Sequence, residues 1–299
     1  MHRSTLEQWR MFRAVVEHGG FAQAASAIHK SQSSINHAVH KLQDQLELQL
    51  LEVVGRKAQL TDSGALMLRR ASQLLDQAEQ LETIADSLAA GCEAQLRLAV
   101  DEIFPQQCLS QALELLSTEF PNTRVELLET VLSGGPERLL RGDVDLLIAG
   151  EVPGGFLGEA LLDVKFIAVS HPQHSLQTLG RPLNLQDLTG ERQIVVRDSS
   201  SGIGVDSGWL GAEQRWTVSH VATSISMLLR GMGFAWLPET RIREYLDAGS
   251  LRELPLAQGA RRHVMLYLTH ADPDRAGPAI RRLGEVLREE IEVQNSSIK

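Results

Sequence analysis

Cysteine is almost missing from this chain. Its 299 residues include only Cys92 and Cys108, with no Cys-x-x-Cys spacing. That excludes a disulfide framework and a thiol-built zinc site, and no metal or cofactor is expected. Two reduced thiols suit a cytoplasmic location. Long apolar runs are missing too: nothing approaches the ~20 residues that cross a bilayer, so no membrane partner is expected. Met1 to Glu7 leads into an amphipathic helix with charges inside it, unlike a signal peptide. Catalytic signatures are also lacking. There is no Gly-x-Ser-x-Gly elbow, no Walker loop and no His-Glu-x-x-His. Gly202-x-Gly204 and Gly231-x-Gly233 lack the third glycine of a dinucleotide fingerprint and read as turns. His171 and His174 read as a surface loop at a strand end. An enzyme would have to be argued from fold analogy alone, which is weak.

What is present is unevenly spread. The net charge is −9. Residues 1–70 nevertheless carry nine Lys and Arg against six Asp and Glu, a net +3, which leaves −12 for residues 71–299. Five of the ten histidines fall in the first 40 residues. Such asymmetry marks a nucleic-acid module joined to something else.

The stretch Phe21 to Gln49 organises the basic part. Phe21, Ala24, Ala25 and Ile28 recur at helix spacing, and a turn follows at His29-Lys30-Ser31. Ile35, Val39, Leu42 and Leu46 then share one face of a second helix, with Ser31 to Ser34 supplying its N-cap. Between the apolar positions sit amide, hydroxyl and basic groups. A helix, a short turn and a polar-faced helix form a helix-turn-helix whose second helix suits the major groove. Leu6, Trp9, Phe12, Ala14, Val15 and Val16 give a preceding helix with a broad apolar face. Leu50, Leu51, Val53 and Val54 run extended to Gly55-Arg56-Lys57 and back to Leu60, a basic hairpin that reads as a wing.

This stretch resembles the winged helix-turn-helix of LysR-type transcriptional regulators. The resemblance rests on Ala24-Ala25, Ser31-Gln32-Ser33, Ile35, Leu42, Leu46, Leu50, Leu60-Thr61 and Gly64. Gly20 and Asn36 stand where that family usually has Ser, Leu51 replaces a Phe, Val53 a wing Arg and Gln43 a Glu. Val53 removes a phosphate contact, which shifts weight to Arg56 and Lys57. Asn36 and His37 alter base readout, since Asn pairs bidentately with adenine. Gln32, Ser33, Ser34, Asn36, His37, His40 and Lys41 are expected to face double-stranded DNA, with Arg56 and Lys57 at the wing tip.

Thr61-Asp62-Ser63 caps the next helix, which runs to Ala90. Met67, Leu74, Leu81 and Leu88 recur every seven residues, with Ala71, Ala78 and Ala85 in the alternate seam. That is a coiled-coil signal. The resemblance implies an antiparallel pair of linker helices in a homodimer or homotetramer. Packing against the same chain is the bland alternative.

From Gln95 short strands alternate with helices, the order of a parallel sheet with crossovers. Strands are expected at Leu96–Val100, Val125–Glu129, Val144–Ala149, Phe166–Ser170, Gln193–Arg197, Trp216–Ser219, Phe234–Leu237 and Val264–Leu268. Helices are expected at Pro105–Phe120, Pro136–Arg141, Val221–Arg230 and Ala276–Val293. Phe120-Pro121, Gly142 to Leu146, His171-Pro172 and Leu229 to Phe234 resemble the effector-binding region of the same family. That region is similar to periplasmic binding proteins, two α/β subdomains around a cleft.

The resemblance thus implies an α/β chain in three parts: a winged helix-turn-helix at 1–60, a linker helix at 61–91 and an effector domain at 92–299. The effector domain has one subdomain at 94–162 and 269–299 and another at 163–268. Ligands of open α/β sheets sit beyond the carboxyl ends of the strands. Three places qualify: Asp101, Glu102, Ile103 and Phe104; Gly150 and Glu151; and Asp198, Ser199, Ser200 and Ser201, with Thr223 on a helix opposite. Four acids around one cleft suit a cationic effector such as an amine or polyamine. Helix capping by Asp101 or Glu102 is the competing reading; Arg197 either pairs with one of these acids or binds an anion, and the Ser199–Ser201 hydroxyls fit either kind of ligand. The function implied is a transcriptional regulator that binds an interrupted inverted repeat under control of a small-molecule effector, with RNA polymerase as a further contact. A solute-binding protein or an enzyme on a periplasmic-binding-protein-like fold is the alternative; the DNA module argues against it.

Overall fold

A computed structural model describes residues 3–54, 57–202 and 204–297. The chain divides into two compact units, Met1–Ala90 and Gly91–Lys299.

The first unit opens with α1 (Leu6–Glu17), whose N-terminus is closed by a reciprocal Thr5–Gln8 capping box. Gly19 and Gly20 take positive φ and lead into α2 (Phe21–Ala27). The Ser31 hydroxyl caps α3 (Gln32–Leu46) by accepting from the Ser34 N–H at 3.2 Å. Trp9, Phe12, Val15, Ala24, Ile35 and Leu42 close one core between the three helices. β1 (Leu51–Val54) and β2 (Lys57–Leu60) pair antiparallel as the wing. Gln43, one of the departures from the family pattern, fixes the entry to that wing. Its side-chain oxygen accepts the Leu50 and Leu51 N–H groups at 2.7 and 3.0 Å. Leu6, expected on the apolar face, is exposed.

Thr61 caps α4 (Asp62–Ala89), accepting from the Gly64 N–H at 2.9 Å. A Cβ at Gly64 would lie 2.0 Å from the Leu50 carbonyl oxygen, so only glycine lets helix and strand approach this closely. The helix has two apolar faces. Ala71 and Leu75 are buried in the core of the first unit, and Arg13 of α1 pairs with Asp76 and Glu79. Leu74, Leu81 and Leu88, from the heptad seam, remain 47%, 68% and 50% exposed.

The second unit is built on one mixed sheet. In chain order its elements are β3 (Gln95–Asp101), α5 (Gln106–Glu119), β4 (Arg124–Thr130), α6 (Gly134–Leu140), β5 (Leu146–Ala149), β6 (Gly158–Ser170), β7 (Arg192–Val196), β8 (Gln214–Val218), α7 (Val221–Leu229), β9 (Phe234–Pro238), α8 (Glu239–Asp247), β10 (Arg252–Glu253), β11 (Arg261–His270) and α9 (Pro278–Ser297). The strand order is β4-β3-β5-β11-β6-β9-β7-β8, with β10 added on β6. β3 runs parallel to β4 and β5, and β7 runs parallel to β8 and β9. β11 is antiparallel to both β5 and β6. Two long strands therefore span both halves of the sheet. Each half has its own core: Leu98, Leu116 and Leu283 on one side, Val169, Ile194 and Leu228 on the other. The Glu93 carboxylate accepts the Ala279 and Ile280 N–H groups and so caps α9.

Several expected boundaries shift. β6 starts at Gly158 rather than Phe166, and β11 starts at Arg261 rather than Val264. The outer stretch of β6 interrupts its apolar residues with Glu159, Asp163 and Lys165, and that of β11 is Arg261-Arg262-His263, so no apolar alternation announced them. Pro105 stands at the N-cap of α5 rather than inside it. α8 was not foreseen, because only Ile242 of it is buried.

Candidate functional site

Two sites emerge, one in each unit. On α3, Ile35, Val39 and Leu42 point into the core. Gln32, Ser33, Ser34, Asn36, His37, His40 and Lys41 are all exposed, as a polar face on a 3.6-residue period requires. Asn36, His37, His40 and Lys41 make no side-chain hydrogen bond or ion pair among the described residues. Arg56 lies outside the described residues. Lys57 is placed only by its backbone, opposite Val54 in the wing.

In the second unit a cavity of about 430 Å3 opens at the strand ends. Asp101, Glu102, Ile103, Gly150 and Glu151 line it, as anticipated. More of the wall comes from Val131–Ser133, from β7, from residues 205–210, from the start of α7 and from Phe166, Trp236 and Arg262.

Two acids that line it, Asp101 and Glu102, and the neighbouring Asp198 are engaged by the chain itself, while Glu151 and Asp206 are exposed. Asp101 is buried and accepts the Ile103 and Leu132 N–H groups at 3.2 and 3.1 Å. Burial outweighs these bonds and pushes its pKa up to about 7. Glu102 accepts the Val221 N–H at 2.8 Å and pairs with His220, whose pKa that bond raises. The N-terminus of α7, where an anionic ligand would sit, thus holds a carboxylate of the same chain. Burial pushes Asp198 up, but the Ser133 hydroxyl and the Val205 and Ser200 N–H groups outweigh it and leave the acid below its ordinary range.

The loop Asp198–Ser201 is a latch rather than a wall. Ser199 exchanges hydrogen bonds with the backbone of Val131, and Ser201 bonds Glu137 and Arg141. A Cβ at Gly134 would lie 2.0 Å from the Ser199 Oγ, so the latch closes on a bare backbone. Asp198, Ser199 and Ser200 line a separate polar pocket. Two further expectations need correction. Phe104 is packed in the core beside Leu98, because the backbone turns its ring away from the cavity. Thr223 is exposed on the outer face of α7; the next residue, Ser224, is the one that is buried and lines the cavity. Of the four acids expected around the cleft, Asp101 and Glu102 accept N–H groups of the chain itself, Glu151 lines the cavity exposed, and Asp198 lies in the separate polar pocket.

Comparison with known proteins agrees with both halves. Residues 6–65 match the bacterial regulatory helix-turn-helix protein, lysR family, and residues 89–292 match the LysR substrate binding domain. The chain belongs to the LysR family of transcriptional regulators. It is 30% identical over 245 residues to the uncharacterised HTH-type transcriptional regulator YeeY of Escherichia coli (strain K12), covering 80% of this chain and 79% of that one. It is 28% identical over 253 residues to the probable HTH-type transcriptional regulator YhaJ of the same organism, covering 83% and 85%. The fold is shared with CrgA, a LysR-type regulator from Neisseria meningitidis, at a TM-score of 0.53, 22% identity and coverage of 95% and 98%. LysR family members are transcription factors, not enzymes. This chain is accordingly a DNA-binding regulator with an effector-binding domain, the fold class the sequence resemblance implied.

Sequence reasoning missed Gln193, Ser224 and Arg262, which face the cavity with buried, unpaired polar atoms. Nothing local marks them. Arg262 sits in a run of Arg261-Arg262-His263 that reads as a solvated strand end. Among the described residues no group of His, Cys, Asp or Glu is placed to hold a metal ion, and no helix is long and apolar enough to cross a membrane.

Proposed function

We propose that this LysR family regulator reads an interrupted inverted repeat of duplex DNA through α3, as a homodimer or homotetramer in the cytoplasm. Gln32, Ser33, Ser34, Asn36, His37, His40 and Lys41 face the groove, with Arg56 and Lys57 of the wing on the backbone. One observation carries this reading: the polar face of α3 is exposed and its central side chains lack partners within the described residues. Base edges offer the donors and acceptors that Asn36 and its neighbours need. The exposed Leu74, Leu81 and Leu88 supply the apolar seam for a second copy, since among the described residues the core of the first unit covers Met67, Leu68, Ala71 and Leu75 but not these three. A paired module also explains the modest basic excess, because two copies double the phosphate contacts. The cleft ligand biases the placement of the paired DNA-binding units and through them the contact with RNA polymerase.

Selection of bound sequences from a random duplex library tests this. The enriched sites should carry a dyad with a spacer. Enrichment of a single undivided half-site, or none, overturns the paired reading. Leu81→Glu should lower the mass seen in sedimentation and weaken binding to the full dyad more than to one half-site.

A further inference from the structure

We propose that the cleft takes an anionic effector: a carboxylate on a flat apolar body, with Arg262 as its charge partner and Gln193 as acceptor for a donor group on the same ligand. This rests on the reading of the cleft as the effector site and names the class of molecule it takes.

Arg261 and Arg262 are neighbours on β11 and so point to opposite faces. Arg261 points outward and holds Glu253 in a two-pronged ion pair at 2.8 and 2.8 Å. Arg262 points into the cavity and has no carboxylate within ion-pairing distance among the described residues. Its Nη1 donates to the Ser207 hydroxyl at 3.0 Å, and its guanidinium stacks 4.3 Å above the Phe166 ring centre. Its Nε is buried without a partner. Burial lowers its pKa, yet an arginine stays charged in a protein. A desolvated cation with an unused donor is costly unless an anion arrives. A carboxylate matches the planar fork of the guanidinium.

Two more orphans line the same cavity. The Gln193 amide nitrogen donates to the Trp209 carbonyl at 2.8 Å, which fixes the group and leaves its buried oxygen open as an acceptor. The Ser224 hydroxyl is buried and unpaired as well. Between these polar points the wall is aromatic, with Trp209 and Trp236 at 5.9 Å between ring centres and Phe166 beneath Arg262. A cavity of about 430 Å3 falls in the range of small-ligand sites. Four acids line the cavity: Asp101 and Glu102 already accept backbone N–H groups, whereas Glu151 and Asp206 are exposed and keep their charge in solvent, away from the buried guanidinium Nε.

The test uses the full-length protein, titration calorimetry and tryptophan fluorescence, with four probes: para-hydroxybenzoate, benzoate, the neutral para-hydroxybenzamide and the cation para-hydroxybenzylamine. The hydroxybenzoate should bind and quench Trp209 and Trp236. The amide and the amine should bind at least about tenfold more weakly. Arg262→Met should weaken the carboxylates about 10- to 100-fold, and Gln193→Leu should erase the preference for hydroxybenzoate over benzoate. Should Arg262→Met fail to fold, Arg262→Lys carries the same test, since it keeps charge and loses the planar fork. The proposal is overturned if no carboxylate binds, if folded Arg262 variants bind carboxylates as well as the parent does, or if the amine binds best. DNA binding measured on the same proteins separates the two levels: loss of it in the parent sinks the regulator reading, while retained DNA binding without carboxylate binding sinks only this one.

Discussion

Asn36, His37, His40 and Lys41 on α3 stand exposed and without side-chain partners among the described residues, whereas the polar groups around the cleft are mostly engaged with other residues of the same chain. Glu102 caps α7, Asp101 gathers two backbone N–H groups, and Asp198 and Ser199 hold the latch. The difference is one of solvent. On α3, water satisfies each group until a duplex displaces it, so recognition needs no preformed partner. In the cleft, burial forces every polar atom either to find a partner or to remain an orphan. The orphans, more than the acids, therefore mark what the cleft is built to receive.

The sharpest way to test that separation is Leu42→Ala. Leu42 is fully buried beneath the polar face of α3, and the truncation should cost about 2–5 kcal/mol. Specific DNA binding should be lost while probe binding in the cleft persists. Loss of both would show that the two regions do not behave as separable units. Next in size, Asn36→Ala should cost about 1–3 kcal/mol on the preferred site and little on unrelated duplex, measured by fluorescence anisotropy. Lys41→Ala should weaken all duplexes evenly and reduce the salt slope by about one. If both variants lose affinity evenly on every sequence, α3 is not the reading element.

In the cleft, Glu102→Ala strands the buried Val221 N–H and should cost about 1–3 kcal/mol in urea unfolding. No change would return Glu102 to the pool of free ligand groups. A pH dependence is also expected at Asp101. Its carboxyl titrates near pH 7 in the folded chain and near 3.8 when unfolded. Through that window the folded chain binds the extra proton, so its stability falls as pH rises from about 4 to about 7. Asp101→Asn cannot ionise. The melting-temperature difference, variant minus parent, should therefore become more positive across the window. A flat difference would mean that Asp101 ionises in the folded chain as freely as in water.

Much of this was legible residue by residue. The 4, 3, 4 spacing of Ile35, Val39, Leu42 and Leu46 oriented α3, and Ser31 announced its start. The seven-residue recurrence of Leu74, Leu81 and Leu88 marked a helix with more apolar surface than one chain buries. The parallel order of β3, β4 and β5 followed from alternation and intervening helices. The starts of β6 and β11 were not legible, because their outer stretches owe their extended shape to pairing with each other. The cleft misled in a specific way. Counting acids at strand ends suggested a cation, since the groups that neutralise them, the N-terminus of α7 and the turn at Val131–Ser133, lie far away in sequence.

The amino-acid order by itself determined the helix-turn-helix, the polar exposed face of α3 and the α/β character of the rest. These are local periodicities, and solvent on one side and core on the other suffice to set them. Only the tertiary structure decided which polar groups of the cleft are already partnered. Arg261 and Arg262 are indistinguishable as letters, yet one meets Glu253 and the other meets a cavity. Hydrogen-bond satisfaction depends on chain segments that fold together from far apart, and no local pattern encodes it.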